Sequence, residues 1–333
     1  MTTSLLIVCL TVAFALGFDF INGFHDTANA IATAVSTKAL KPKTAILIAS
    51  GMNFLGAILF TGVANTISKD IVNIDSLTHG SVVVMAALIA AIAWNLITWY
   101  FGIPSSSSHA LIGSIAGAAI AEAGTSSINF QGFINIIKSL IYSPLIAFVV
   151  GYIVFTILKK VFMNTNLFRT NTSFRRMQCV TAAIQAFSHG TNDAQKSMGI
   201  ITMALISNKL IEPGHIPLWV QLSCATAISL GTSVGGWRII KTVGTQIMKI
   251  KPVNGVAADL SSAIVIFGAT RLGLPVSTTH VISSSIMGVG TAYRPRAVKW
   301  GTAKRMVITW FITLPISGIL GFCIFSLLAT LLC

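Results

Sequence analysis

The sequence predicts an all-α polytopic membrane protein made of two related halves, and three observations predict it. The chain is 54% hydrophobic and only 9% charged, with a mean hydropathy of +0.83; soluble domains carry roughly 25% charged residues. Its apolar runs are long. SVVVMAALIAAIAWNLITWYFG (81–102) and GFINIIKSLIYSPLIAFVVGYIVFTIL (132–158) each exceed the roughly 20 residues of a spanning helix. Finally, phrases of the first half return in the second, in the same order.

Ten apolar segments are expected, near 4–35, 44–67, 81–102, 104–122, 132–158, 178–207, 216–237, 255–273, 275–292 and 305–331. They are expected as helices because an unpaired backbone cannot face lipid. MTTSLLIVCL at the start has no basic stretch and no clear small-residue cleavage site, so segment 1 reads as a retained span and not as a signal peptide. Most basic residues fall in a few connectors: Lys38, Lys41 and Lys43; Lys159, Lys160, Arg169, Arg175 and Arg176; Arg238, Lys241, Lys249 and Lys251; Arg294, Arg296, Lys299, Lys304 and Arg305. If every segment crosses, these connectors share one side, which the positive-inside rule makes cytoplasmic, with both termini outside. That distribution accounts for the net charge of +14 without a nucleic-acid partner. The five cysteines are scattered with no CxxC, so neither a metal site nor a bound cofactor is expected from them.

The repeat is specific. NGFHDTANA (22–30) aligns with HGTNDAQKS (189–197) at an offset of 167, pairing Asp26 with Asp193, Gly23 with Gly190 and Phe20 with Phe187. FGIPSSSSHALIGSIAG (101–117) aligns with LGLPVSTTHVISSSIMG (272–288) at an offset of 171, and VANTISK (63–69) more weakly with VGTQIMK (243–249). Residues 1–158 therefore form a first repeat, 159–177 a cytoplasmic basic connector and 178–333 a second repeat. Five segments per half is an odd number, so the halves are expected in inverted orientation, with broken or re-entrant helices and a site at the midplane.

Asp26 and Asp193 fall in segments expected within lipid, where a charge costs from about 3 to over 10 kcal/mol. Two equivalent aspartates are more economically read as an ion site than as a packing device. Asn22, Gly23 and Asn29 lie in the first motif, Gly190 and Asn192 in the second. Glycine weakens a helix, so both motifs are expected to break theirs and to expose backbone groups to a small cation and an anion. In PSSSSH and PVSTTH, proline suits a first helical turn, Ser and Thr cap free amides, and the helix N-terminus is partly positive. Ser105, Ser106, Ser107 and Ser108, with Ser277, Thr278 and Thr279, are therefore expected to form two oxyanion cradles; hydroxyls that merely join packed helices are the plainer alternative.

Lys196 follows Asp193 by three residues on the same helical face. It serves either to neutralise that carboxylate or to attract the anion, and the sequence leaves both open. His25, beside Asp26, is a candidate for proton handling, against the commoner role of a hydrogen-bonded structural histidine. His109 and His280 pair across the repeat, which favours a shared role in holding the cradles. The substrate site is thus expected at Ser105–Ser108, Ser277–Thr279, Asn29, Asn192 and Lys196, and the coupling-ion site at Asp26, Asp193, His25 and Asn22.

At these residues the sequence resembles the inorganic phosphate transporter (PiT) family, whose signature reads roughly G-A-N-D-x-A-N-A. It stands here as GFHDTANA (23–30) and GTNDAQKS (190–197), and the likeness continues through PSSSSH, PVSTTH, NFLGA (53–57), AWNLITWYFG (93–102) and GWR (236–238). It is most similar to the bacterial low-affinity Pit branch. The resemblance implies phosphate transport by symport across the bacterial inner membrane, a homodimer with a transport core and a scaffold, and partly re-entrant segments 4 and 9. It maps the family's ligands onto Asp26, Asn29, Ser105–Ser108, Asn192, Asp193 and Ser277–Thr279. Sodium-coupled members carry Asn where this chain has His25, so protons are favoured, with sodium as the alternative. The bacterial branch also implies a divalent cation travelling with phosphate as a neutral complex.

Three other readings fit parts of the sequence. Sulfate cannot share a proton with an aspartate at neutral pH as phosphate can. A channel would be excluded by fluxes that saturate at low rates, with substrate counterflow. An intramembrane hydrolase is disfavoured because Ser and His are neighbours on one helix, which points them apart, and because no GxSxG elbow occurs.

Overall fold

The computed structural model describes residues 3–162, 167–236, 240 and 242–332, and every expected segment has its helix. They are α1 (Thr3–Ser36), α2 (Pro42–Ala57), α3 (Gly62–Asp70), α4 (Gly80–Tyr100), α5 (Ser107–Ala123), α6 (Phe130–Val161), α7 (Leu167–Ser207), α8 (Leu218–Val234), α9 (Pro252–Arg271), α10 (Thr278–Tyr293) and α11 (Trp300–Leu332). Among the described residues there is no strand, only an isolated bridge between Val72 and Ile128. Helices α1, α4, α6, α9 and α11 are long and apolar enough to cross a membrane, and α2 with α3 makes a sixth candidate bent by 67°. Much of the expected connector is drawn into the ends of α6 and α7. Its residues 163–166 lie outside the described residues, as do Trp237 and Arg238 of the GWR motif and Lys241.

Helix α7 is long at 41 residues but is no apolar span. Gln178, Thr181, Gln185, Ser188, Asn192 and Lys196 recur at three- and four-residue steps and are all buried, so its polar stripe faces the protein. Helix α1 carries a matching stripe of buried Asp19, Asn22, Asp26, Asn29 and Thr33. These stripes lie between two apolar cores. Helix α1 joins the first core through Val8, Ala15 and Phe18 and the second through Ala30, Ile31 and Ala32. Helix α7 runs the other way, with Ala186 in the second core and Ala194 and Met198 in the first.

The expected breaks at the aspartate motifs do not occur: α1 and α7 run unbroken through them. The motif glycines have another cause. A Cβ on Gly23 would strike the carbonyl of Ile228 in α8, and one on Gly190 the carbonyl of Asn53 in α2. Each glycine lets its helix approach the second helix of the opposite half. Small residues serve this purpose in membrane helix packing. The chain breaks instead between α2 and α3 and ahead of α5 and α10.

Helices α5 and α10, of 17 and 16 residues, are about 25 Å long at 1.5 Å per residue, short of the ~30 Å apolar thickness of a bilayer. Both are buried along most of their length. Helix α5 packs against α11 and α4, and α10 against α6 and α9. The close approaches are again crossed between halves: Gly117 abuts Gly318 of α11, and Gly288 abuts Phe148 of α6. The enclosing helices α6 and α11 each carry an internal proline, Pro144 and Pro315, at the same offset of 171.

Candidate functional site

The starts of α5 and α10 meet α1 and α7 where the two polar stripes face each other. Local sequence sets the geometry. Ser106 and Ser277 are the N-caps of α5 and α10, and their hydroxyl oxygens accept the backbone N–H of His109 at 3.1 Å and of His280 at 3.3 Å. With the caps fixed, the next hydroxyls turn inward. Ser107 donates to Asp26 Oδ2 at 2.7 Å, Thr279 to Asp26 Oδ1 at 2.9 Å, and Thr278 to Asp193 Oδ2 at 3.2 Å. The positive ends of two helices thus face two carboxylates, a favourable pairing.

The remaining partners differ between the two aspartates. His25 Nδ1 lies 2.7 Å from Asp26 Oδ1, and its Nε2 lies 3.3 Å from Thr98 Oγ1. Asn29 Nδ2 donates to Thr279 Oγ1 at 2.8 Å, which aims that hydroxyl's proton at Asp26. Asp193 instead holds Lys196, whose Nζ donates to Oδ1 at 2.5 Å, and it accepts a long bond from Asn22 Nδ2 at 3.4 Å. His189 Nε2 is 3.2 Å from Asp193 Oδ2 but lacks hydrogen-bond alignment, so this contact is an electrostatic one. Lys196 is 1% exposed and Asp193 0%. Removing one member of such a buried pair costs about 3–5 kcal/mol, because the other is left uncompensated.

The other expected residues frame this centre without touching the carboxylates. Ser105 donates to Thr98 Oγ1 at 2.8 Å, and Ser108 to the carbonyl of Val276 at 2.9 Å. Asn192 Nδ2 donates to Thr270 Oγ1 at 3.1 Å while its Oδ1 accepts from Val276 N at 3.3 Å, pinning the stretch ahead of α10 to α7. Ser106 and His109 do meet, at 2.8 Å between Oγ and Nδ1, contrary to the expectation that one helix would point them apart. An N-cap serine lies outside the helix and bends back over the first turn. The His109 and His280 rings lie 4.6 Å apart, and His280 stacks on Trp310 at 4.1 Å. The two histidines therefore tie α5 to α10 and both to α11.

Residues that the repeat did not reveal also belong to this interior. Asp259 accepts from Thr33 at 2.6 Å and Thr181 at 3.0 Å. Asp19 is buried, and among the described residues no donor reaches either of its oxygens at hydrogen-bonding geometry. Asp19, His189 and Asp259 have no identical counterpart at the repeat offsets, so repetition could not flag them. Their signal was a charged or titratable residue on a buried helical face. Asn22 Oδ1 and Asn29 Oδ1 are buried without a donor among the described residues. A cavity of about 550 Å³ is lined by Lys69, Asn73, Ile206 and Pro213, not by any residue of this centre. The centre itself is closed to solvent, with Asp26 1% exposed. Such an arrangement can hold a small cation or proton against a carboxylate and can offer hydroxyls to an oxyanion.

A profile described as the phosphate transporter family matches residues 22–321. The chain belongs to that family. It is 67% identical to a "probable low-affinity inorganic phosphate transporter" of Bacillus subtilis, over 95% of this chain and 96% of the relative. A Rhizobium meliloti protein of the same description is 45% identical over 93% of each. A solved structure titled "The sodium-dependent phosphate transporter" superposes with a TM-score of 0.86 at 26% identity, covering 97% of this chain and 99% of that one. Family membership and the apolar helices make this a multi-pass membrane protein with a transport function, which sets the hydrolase reading aside.

Proposed function

We propose that the chain imports inorganic phosphate across the bacterial inner membrane by proton symport, with alternating access around the layer of Asp26 and Asp193. The observation that carries this reading is that the hydroxyls suited to an oxyanion are already committed to carboxylates. Ser107 and Thr279 each have one proton to give, and both give it to Asp26. A proton on Asp26 weakens that claim and frees the hydroxyls, beside two helix N-termini, for phosphate. Proton and phosphate then assist each other's binding, and the assistance is reciprocal.

The surroundings of His25 suit such a proton. Thr98 can direct its own proton to the carbonyl of Trp94 at 3.0 Å or toward His25 Nε2 at 3.3 Å. Rotation of one hydroxyl therefore fits the His25–Asp26 pair with or without an extra proton. The inverted repeat is supported by the opposite passage of α1 and α7 between the two cores. Both termini outside follows from the basic connectors, and a homodimer from the family resemblance.

A second reading, sodium coupling, draws on Asn22 Oδ1 and Asn29 Oδ1. These acceptors flank Asp26 on α1 without donors among the described residues, and such hard oxygens suit a small cation, or a divalent metal carried with phosphate as cargo. Phosphate uptake into proteoliposomes under an inward proton gradient, or an inward sodium gradient, separates the two. Proton-driven uptake that sulfate does not inhibit supports the proposal. Uptake driven only by sodium replaces it with the second reading, and no phosphate uptake under either gradient refutes both.

A further inference from the structure

The repeat that pairs Asp26 with Asp193 also pairs Asn29 with Lys196, at the same offset of 167. The two residues occupy equivalent helical positions, one turn beyond the carboxylate, and do different things. Asn29 turns its amide to Thr279 and leaves its carbonyl oxygen without a donor among the described residues. Lys196 lays its ammonium directly on Asp193 at 2.5 Å. Around Asp193 the acceptors are satisfied among the described residues: Oδ1 takes Lys196, Oδ2 takes Thr278 and Asn22 with His189 Nε2 beside it at 3.2 Å, and the neighbouring Asn192 Oδ1 takes the backbone of Val276. Among the described residues an orphaned oxygen remains at Asn29, whose amide holds the Thr279 hydroxyl on Asp26; a second, at Asn22, lies between the halves, on an amide that reaches Asp193.

We propose that Lys196 is a tethered cation occupying the second-half counterpart of the Asp26 cation site. It therefore determines how many mobile cations accompany phosphate. Its ammonium is a compact charge with three donors. Seated on a carboxylate at 1% exposure, it excludes a free monovalent cation from Asp193 by both volume and charge. The first half keeps an exchangeable place, for a proton or a small cation; the second half carries its own cation covalently. This inference rests on the phosphate-transport reading and fixes the stoichiometry of that same site.

The test uses purified full-length protein and measures phosphate affinity across a series of sodium concentrations. Lys196→Asn installs at Asp193 the residue that follows Asp26. The expected result is a slope of log affinity against log sodium that rises by about one ion over wild type, with sodium tightening phosphate binding roughly tenfold in the variant. Lys196→Arg keeps the wild-type slope. In Asp193→Asn/Lys196→Asn both charges are gone, so that variant also keeps the wild-type slope; a rise there would locate the cation elsewhere and overturn the proposal. An unchanged slope in Lys196→Asn overturns it directly. So does Lys196→Asn that stays unfolded at every sodium concentration, since sodium should replace the ammonium. Wild-type protein that binds no phosphate counts against the transport reading instead.

Discussion

Asp26 and Asp193 occupy the same place in a repeated phrase, and each receives a hydroxyl from the first turn of a short buried helix. Beyond that frame their surroundings part. Asp26 is met by a histidine and two hydroxyls, with the Asn29 amide oxygen one turn along α1 left without a donor among the described residues. Asp193 also has a histidine nearby, His189 at 3.2 Å, but it is met in addition by a lysine, and among the described residues its acceptors are filled. The two phrases share their glycines and N-caps and differ in the groups that balance the charge. On the proposal above, one half would change its charge and the other hold it.

The comparison can be broken at several points. Asp193→Asn strands a buried ammonium and is expected to cost about 3–5 kcal/mol of stability, seen as a large fall in the thermal midpoint of the detergent-purified protein. Asp26→Asn leaves no such unpaired cation. It should preserve the fold but cut gradient-driven phosphate uptake by about a hundredfold, the scale of about 3 kcal/mol for hydrogen bonds to a charged group. If the two variants behaved alike, the division into a fixed and an exchangeable site would fail.

Changes to the shared frame should instead affect the halves equally. Gly23→Ala and Gly190→Ala each push a Cβ into a carbonyl of the opposite half, at about 1–3 kcal/mol of overpacking each. Gly17→Ala, one helix face away with nothing within 4 Å, should be neutral or stabilising by up to about 1 kcal/mol. Thermal unfolding of the three variants checks this. The smallest effect is expected from the caps: Ser106→Ala and Ser277→Ala lose about 1 kcal/mol each, and unequal losses would show that the cradles are not equivalent.

Much of this frame was legible in the sequence because it depends on composition and repetition. The apolar segments coincide with helices to within a few residues at most ends, and Ser106 and Ser277 cap as the PSSSSH and PVSTTH phrases suggest. What was not legible depended on what lies across a helix. Gly23 and Gly190 read as helix breakers until α8 and α2 were seen against them. The same blindness left Lys196 with two roles, because only the fold shows its ammonium on Asp193. Asp19 and Asp259 carry no signal in the repeated phrases, because neither aspartate is repeated.

The crossed packing of α5 and α11 has a consequence for how the molecule is made. Helix α5, buried and too short to span alone, rests on a helix that begins at Trp300, near the end of the chain. At about 5–20 residues per second of translation, the ribosome takes on the order of ten seconds or more to supply that partner. Limited proteolysis of nascent chains stalled before residue 300, and of chains extended by a linker until Leu332 has emerged, should find α5 cleavable only in the shorter chains; equal protection in both would show that α4 alone shelters it. Until α11 emerges, a serine-lined helix end waits in the bilayer beside an unfinished neighbour. Helix α11 thus completes the walls of a site that α1 begins, with Trp310 stacked on His280.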